Sequence, residues 1–299
     1  MPDGSVYEPR NFTEDHLGVL SLRDGFKLSR NVIAVKLMND AENRGIGART
    51  VFKYTRNMGI TTYIPQVPSM AIGTAEVKLI EMVSAYTIFP NFGIKTDNFA
   101  IEWIDDKNDT IFQPQRHAGE KTEVLKENVA SLMVSMLRSV VREGTGRLVI
   151  ARKGMTDRPS AGKTGTGQDF KDAWFIGFTP YIACGVWIGF DSEETQLKNP
   201  LHTGATAALP VWIDFIMETS ELLDYQKDEF KMSNNLTTLK LCSDSYLLAT
   251  GNCPEASIYT EYFIPGTEIE QFCDKHGSDP NRANDPRFSP QSQRNRRNP

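Results

Sequence analysis

The stretch SAGKTGTGQDFKDAWFIGFTPYIACGVWIGFD, residues 160–191, contains the two features on which the interpretation of the whole chain depends. The first is the run KTGT at 163–166, where a cation and two hydroxyls surround a residue without a side chain. Such an edge is suited to binding a carboxylate. The second is a pair of apolar, aromatic-rich runs, 173–178 and 182–190, separated by turn residues. This pattern predicts a β-hairpin, and therefore a strand that carries or adjoins the cation.

A phosphate-binding loop is the obvious competing interpretation, because the residues AGKT at 161–164 resemble the end of a Walker motif. That motif requires a glycine where this chain has Asp157, and it requires a helix directly after the Lys-Thr pair. Two glycines and the aromatic hairpin that follow are incompatible with a helix. The sequence therefore disfavours nucleotide binding.

The stretch as a whole resembles the third motif and following strands of the penicillin-binding protein and serine β-lactamase superfamily, whose signatures are Ser-x-x-Lys, Ser-x-Asn and Lys-Thr-Gly. Its flanks resemble the class A, or bifunctional, penicillin-binding proteins: GTG at 144–146, DAWFIG at 172–177 and GVWIGFD at 185–191. The resemblance implies an α+β fold of the penicillin-binding protein/β-lactamase type, an antiparallel sheet flanked by helices, here N-terminally incomplete.

The resemblance also implies a domain organisation. Residues 1–220 correspond to the transpeptidase domain without its N-terminal strands and nucleophile helix, and 221–277 form a C-terminal extension whose fold the sequence does not indicate. Residues 278–299 are rich in proline and arginine and nearly devoid of apolar side chains, so we predict a disordered tail.

Helical periodicity and capping signals predict the other elements of the first domain. Ser21 and Asp24 form a capping box that starts a short helix, and a second helix follows over 32–38. Further helices are predicted over 49–58, 74–89, 123–142 and 211–217, and strands over 99–105 and 110–112.

Ser29 and Asn31 lie at the junction of the first two predicted helices, where irregular backbone lets a hydroxyl and a carboxamide face one cleft. A second Ser-x-Asn occurs at 233–235, so the pattern by itself is not specific. In the family this motif follows a Ser-Leu-Arg helix and precedes Lys-Thr-Gly, and that order selects Ser29. The alternative is that both residues merely cap the second helix.

The family reaction is acyl transfer by a serine between peptidoglycan stem peptides, a D,D-transpeptidation that β-lactams block. By resemblance, Lys163 supplies the positive field for the substrate carboxylate, and Thr164 and Thr166 donate hydrogen bonds to it. Gly165 lets the donor peptide lie close to the strand. The N–H of Thr166 would form half of the oxyanion hole.

By the same resemblance, Ser29 relays the proton to the leaving group and Asn31 holds a substrate amide. The implied partners are stem peptides with a D-Ala-D-Ala donor and an amine acceptor, β-lactams, and other cell-wall synthesis proteins. No cofactor is implied. The full-length protein is expected at the extracytoplasmic face of the membrane, although this chain contains neither a signal peptide nor an apolar run long enough to span a bilayer.

The nucleophile is not identified in these 299 residues. The only Ser-x-x-Lys is Ser160 to Lys163, where the lysine already belongs to Lys-Thr-Gly and the pattern is not helical. We therefore expect a fragment of a transpeptidase that begins after the nucleophile helix. The alternatives are a non-catalytic module that binds stem peptides or scaffolds partners, and, third, a serine β-lactamase.

The cysteines allow two interpretations. Cys184 lies in the apolar hairpin and is predicted to be a buried hydrophobe, whereas Cys242, Cys253 and Cys273 cluster near the C-terminus. A disulfide between Cys253 and Cys273 would close a loop of about 20 residues and contribute on the order of 3 kcal/mol. The three thiols could equally be free.

Charge and ligand spacing exclude two further classes of function. The formal charge of -5 gives no electrostatic footprint for nucleic acid. No metal site is expected, because the chain has no Cys-x-x-Cys and its histidines are scattered through polar segments without ligand spacing. These histidines are His16, His117, His202 and His276.

Overall fold

A computed structural model of the chain describes residues 7–13, 15, 17–39, 46–107, 109–112, 122–167, 170–191, 197 and 202–277. The predicted tail, 278–299, lies outside these residues. The chain divides into two compact units, 1–231 and 232–299. The boundary predicted at 220/221 falls inside the helix Leu209–Leu222, so the structure places the division later in the chain. None of the described helices is both long and apolar enough to cross a membrane.

Seven α-helices and seven strands make up the described part of the first unit. The helices are α1 (Leu22–Lys27), α2 (Asn31–Asn39), α3 (Ala48–Asn57), α4 (Leu79–Thr87), α5 (Glu127–Arg142), α6 (Arg147–Arg152) and α7 (Leu209–Leu222). The strands are β1 (Ile94–Lys95), β2 (Ile104–Asp105), β3 (Thr110–Phe112), β4 (Thr122–Glu123), β5 (Ala161–Thr166), β6 (Asp172–Phe178) and β7 (Ala183–Gly189). A 3₁₀ turn at Pro68–Ile72 and a π-helical turn at Gly204–Ala208 complete the set.

The central sheet is antiparallel, with strand order β5-β6-β7. It contains the predicted hairpin, in which Trp174 pairs with Trp187, and β5 carries the Lys-Thr-Gly, with Lys163 opposite Ile176. The described residues form three strands of this sheet. The strand predicted over 99–105 is reduced to β2, which forms a separate two-stranded ribbon with β3.

The core of the first unit lies between the sheet and α7. Phe175 on β6 and Trp212 on α7 are both fully buried, and their rings meet edge to face with centroids 5.0 Å apart. The buried indole N–H of Trp212 donates to the carbonyl of Cys184, 3.1 Å away on β7. Because this contact satisfies the polar atom of the largest core side chain, α7 is fixed against the hairpin.

Helix α5 packs against strand β5 and against the N-terminal helix α1. Ala130, Val134, Leu137 and Val141 on it are almost completely buried, as its apolar period predicts. Arg23 of α1 donates to the Ser139 hydroxyl at 2.7 Å and to the Ser135 carbonyl at 3.0 Å. This charged clamp holds α1 on α5 and thereby positions the end of α1.

The second unit contains a two-stranded antiparallel sheet of β8 (Thr237–Cys242) and β9 (Ile258–Phe263). Leu239, Leu241 and Leu248 form one small apolar cluster, and a second cluster contains three cysteines, Cys242, Cys253 and Cys273, packed with Ala249.

All four cysteines of the chain are free, so the structure does not contain the disulfide between Cys253 and Cys273 that the sequence left open. The reason lies in the packing, because the fold brings three thiols, not two, around the ring of His276. The sulfurs of Cys242 and Cys273 each lie 3.4 Å from His276 Nδ1. This arrangement therefore does not single out one pair of cysteines for a disulfide.

Candidate active site

Lys163 and Ser29 meet at the contact between strand β5 and the junction of helices α1 and α2. The Lys163 ammonium donates a hydrogen bond of 2.7 Å to the Ser29 hydroxyl, although the two residues are 134 positions apart. It also donates to the carbonyl of Thr164 at 3.0 Å. The structure thus brings together the cation and the hydroxyl that sequence order selected, and their catalytic roles remain predictions.

Ser29 reaches this position because it terminates α1 in an unusual backbone conformation. Its φ of 55° is left-handed, its N–H donates to the Phe26 carbonyl, and the N–H of Arg30 reaches back to the Gly25 carbonyl at 2.8 Å. This is the Schellman arrangement, in which the left-handed residue is usually glycine. A serine here carries a strain of about 1 kcal/mol, as is common at functional sites.

Two substitutions separate the strain at Ser29 from its hydroxyl. Both Ser29→Gly and Ser29→Ala remove the partner of Lys163, but only alanine keeps a Cβ in the left-handed region. We expect the glycine variant to be more stable than the alanine variant by about 1 kcal/mol. Urea unfolding of the two variants measures this difference, and equal midpoints would contradict the assigned strain.

The Lys163 side chain is a cation without a carboxylate partner among the described residues. Its residue is half-buried, and desolvation lowers the pKa of its ammonium to about 8. A desolvated cation that is paired only with a hydroxyl and a carbonyl gains strongly from an external anion. The site is therefore electrostatically prepared for a carboxylate.

Thr164 is held by a residue that the sequence analysis treated only as a flank. Its hydroxyl lies 2.8 Å from the hydroxyl of Thr145, and the Thr145 N–H donates to the Lys27 carbonyl at 3.2 Å. Gly144 allows this contact, because a Cβ there would lie 2.3 Å from the same carbonyl. The Gly-Thr-Gly at 144–146 thus ties β5 to the end of α1. In the sequence, this motif was the feature that could have indicated the role of Thr145.

Thr166 and Gly165 form the exposed end of the site strand. The Thr166 hydroxyl accepts a hydrogen bond of 3.1 Å from the N–H of Gly204, which leaves its own proton free for donation. A Cβ on Gly204 would lie 2.4 Å from the Gly165 carbonyl. The π-helical turn therefore lies directly against this end of β5.

Asn31 begins α2 next to Ser29, but its amide is directed to the main chain of the N-terminal segment. It donates to the Arg10 carbonyl at 2.9 Å, and Arg30 forms an ion pair with Asp15 at 2.5 Å. The structure thus places Asn31 beside the site with its amide already engaged. Its assignment to a substrate amide stays a prediction.

The competing motif residues have local explanations. Ser233 of the second Ser-x-Asn accepts a bond of 3.1 Å from the N–H of Asn235, which is a turn contact. Ser160 is buried immediately before β5 and is not on a helix, so Ser160 and Lys163 do not form the helical Ser-x-x-Lys of a nucleophile.

The comparisons with known proteins point to one family. Residues 2–196 match the model of the penicillin binding protein transpeptidase domain, and residues 232–278 match that of the penicillin-binding protein 1A C-terminal domain. Penicillin-binding protein 1A of Aquifex aeolicus is 33% identical over 270 residues, which cover 90% of this chain and 35% of that protein. The protein of the same name from Neisseria meningitidis serogroup A is 33% identical over 72% of this chain and 26% of its own length.

Solved structures support the fold. The crystal structure of penicillin-binding protein 1A from Haemophilus influenzae superposes with a TM-score of 0.77 at 24% identity, over 91% of this chain and 44% of that chain. The PonA1 protein of Mycobacterium tuberculosis in complex with penicillin V gives 0.60 at 21% identity, over 74% and 61%. The α+β fold class predicted from the sequence is confirmed.

The match to the transpeptidase model covers more than half of the chain, and the Lys-Thr-Gly strand at the heart of the site lies within it. The chain spans about a third or less of the length of the curated relatives named above. On these grounds the chain belongs to the penicillin-binding protein transpeptidase family.

Proposed function

We propose that this chain forms the donor-binding part of a peptidoglycan D,D-transpeptidase, with a nucleophilic serine supplied by a Ser-x-x-Lys segment outside these 299 residues. The single observation that carries the proposal is the contact of 2.7 Å between Lys163 and Ser29 on a strand edge. It joins the second and third family motifs in one site, with a cation available for the terminal carboxylate of a stem peptide.

The edge position of β5 supports an extended peptide as the ligand. Among the described strands, β5 pairs only with β6, so its other edge has backbone groups available for pairing. A donor ending in D-Ala-D-Ala could add to this edge by main-chain hydrogen bonds while its carboxylate meets Lys163. The Thr166 hydroxyl, which keeps a free proton, lies at the end of the same strand.

The Ser29 hydroxyl provides a route for a proton. In the proposed reaction the serine oxygen attacks the carbonyl between the two D-alanines, and its proton passes to the lysine of the same Ser-x-x-Lys. The amide bond to the terminal D-alanine breaks as the Ser29 hydroxyl donates its proton to the leaving nitrogen and takes up the proton held by that lysine, while Lys163 stays an ammonium and holds the carboxylate. An acceptor amine then attacks the acyl-serine, and the proton that the amine loses returns to the serine oxygen.

The proposed site implies a place for the whole protein. Its substrate class, cell-wall stem peptides and the β-lactams that mimic them, occurs outside the cytoplasmic membrane. We accordingly place the full-length protein at the extracytoplasmic face, in company with other cell-wall synthesis proteins.

Penicillin labelling of a chimera tests the proposal. The chain alone is expected to form no covalent adduct with a fluorescent penicillin, because Lys163 and Ser29 position a β-lactam without supplying the attacking serine. Joining the preceding segment of the Aquifex aeolicus relative, where the family pattern expects the Ser-x-x-Lys, should give an adduct that survives denaturation. The control is the same chimera with the serine of the added Ser-x-x-Lys changed to alanine.

Two results would overturn the proposal. One is an adduct of the chain alone that maps to Ser160 or another of its own residues. The other is a folded chimera that stays unlabelled while the chain alone binds stem peptide, which would favour the non-catalytic module. A serine β-lactamase would be indicated by a labelled chimera that rapidly hydrolyses the adduct.

A further inference from the structure

The second unit holds four metal-ligand side chains at one point, and none of them belongs to the candidate active site. The ligand atoms of Cys242, Cys253, Cys273 and His276 all lie within 4.8 Å of one another. The three cysteines are 8% exposed or less. From this cluster we propose that the unit binds one structural Zn²⁺ through three thiolates and the Nδ1 of one imidazole.

The distances fit tetrahedral zinc. With Zn–S near 2.3 Å and Zn–N near 2.0–2.1 Å, two tetrahedral ligands of these types are separated by roughly 3.5 Å. The observed distance from His276 Nδ1 to the sulfurs of both Cys242 and Cys273 is 3.4 Å. A disulfide needs two sulfurs about 2.05 Å apart, and it would not explain why the imidazole lies among the thiols.

The surroundings of the ligands are those of a metal site. The other ring nitrogen of His276, Nε2, lies 3.1 Å from a carboxylate oxygen of Asp244. A carboxylate at that position fixes the tautomer that leaves Nδ1 free for the metal, and ligating histidines usually have such a partner. Asp244 is itself held by the Ser257 hydroxyl at 3.0 Å.

Backbone geometry prepares the sulfur ligands as well. The N–H of Thr250 points at the sulfur of Cys253 at 3.3 Å, a contact that stabilises a thiolate. The N–H of Cys273 is bonded to the Leu248 carbonyl at 2.8 Å, and Cys242 ends β8 opposite Ile258 of β9. Three separate parts of the chain thus present one sulfur each to the same point.

The second unit is small enough that a bound metal would contribute to its stability. Its described part spans residues 232–277 and contains one two-stranded sheet, and a single hairpin of this kind is marginally stable in water. Units of this length usually need a disulfide or a metal to supplement a small core. Binding releases the thiol protons and closes the loops between the ligands, so the metal contributes folding free energy.

The proposed zinc site departs from the sequence expectation of no metal site, which rested on the absence of short ligand spacings. The proposed ligands are far apart in the sequence, and their one compact signal is Cys273-x-x-His276. In the sequence, His276 lies in a polar segment like the other histidines, so its spacing from the cysteines gave no separate signal.

The experiment uses the whole chain, purified without chelator, and measures zinc by mass spectrometry of the element. We expect one zinc per chain, and we expect Co²⁺ substitution to give the thiolate charge-transfer and intense d–d bands of a tetrahedral site. Cys253→Ser and His276→Asn should each reduce the zinc content to near zero. Cys184→Ser, which removes the remaining thiol, is the matched control and should leave one zinc bound.

A second variant keeps the test decisive if loss of a ligand prevents folding. Asp244→Asn retains all four ligands and should weaken zinc binding about 10- to 100-fold without changing the cobalt spectrum. Three results would overturn the proposal. They are a folded wild-type chain that binds no Zn²⁺ from a buffered zinc solution, a Cys253–Cys273 disulfide in that chain, and zinc loss in Cys184→Ser as complete as in Cys253→Ser.

Discussion

Replacing Lys163 with alanine is expected to slow penicillin acylation of the chimera by roughly 10- to 150-fold, which corresponds to the ~1.5–3 kcal/mol of a hydrogen bond to a charged group. The ammonium is desolvated, contacts only Ser29 and the Thr164 carbonyl among the described residues, and would gain the substrate carboxylate as its anionic partner. The second-order rate constant of labelling measures the loss.

The control for Lys163→Ala is Lys171→Ala, which removes an exposed lysine just before the next strand of the same sheet. This variant should label at the wild-type rate. A rate unchanged in Lys163→Ala, or reduced equally in both variants, would contradict the role of Lys163 in carboxylate binding.

The pH profile gives the same prediction a second readout. Burial lowers the pKa of Lys163 to about 8, so the fraction of ammonium falls as the pH rises through that value. Labelling of the unsubstituted chimera should therefore decline on the alkaline side of about pH 8. In Lys163→Ala this decline should disappear, because the titrating group is gone.

Gly204→Ala is expected to destabilise the fold by about 3 kcal/mol, at the upper end of the usual range for overpacking. A Cβ at this position would lie 2.3 Å from the Trp174 carbonyl, 2.4 Å from the Gly165 carbonyl and 2.9 Å from the Gly165 nitrogen. All three are backbone atoms of β5 and β6, so no side chain can move aside. The π-helical turn must shift, and the Gly204–Thr166 contact is lost with it.

Gly154→Ala provides the matched control, because Gly154 has space for a Cβ but a left-handed backbone, whereas Gly204 has neither. Gly154 has a φ of 73° and nothing within 4 Å of an added Cβ, so its cost is only that of left-handed backbone, about 1 kcal/mol. In thermal unfolding, Gly204→Ala should have a clearly lower melting temperature than Gly154→Ala. Equal melting temperatures would show that the turn can move away from β5 without penalty.

Local patterns in the sequence were sufficient to predict the elements that carry the site. The hairpin of β6 and β7, the strand with Lys163 and the apolar face of α5 all follow from periodicities that repeat within a few residues. Such signals survive because each residue's environment is set by its nearest neighbours along the chain. The order of the family motifs along the chain then selected Ser29 as the serine that accompanies Lys163.

The sequence by itself determined the fold class, the strand with its cation, and the helix junction that carries Ser29. By resemblance the sequence also assigned Ser29 and Lys163 to one site, and the structure brings them into contact across 134 residues. Only the tertiary structure decided that Cys242 meets His276 across 34 residues. Such contacts depend on how elements pack, and packing is governed by the summed burial of many side chains, not by the spacing of the residues that finally touch. For this reason the sequence left open a disulfide between Cys253 and Cys273 where the fold assembles three thiols and an imidazole.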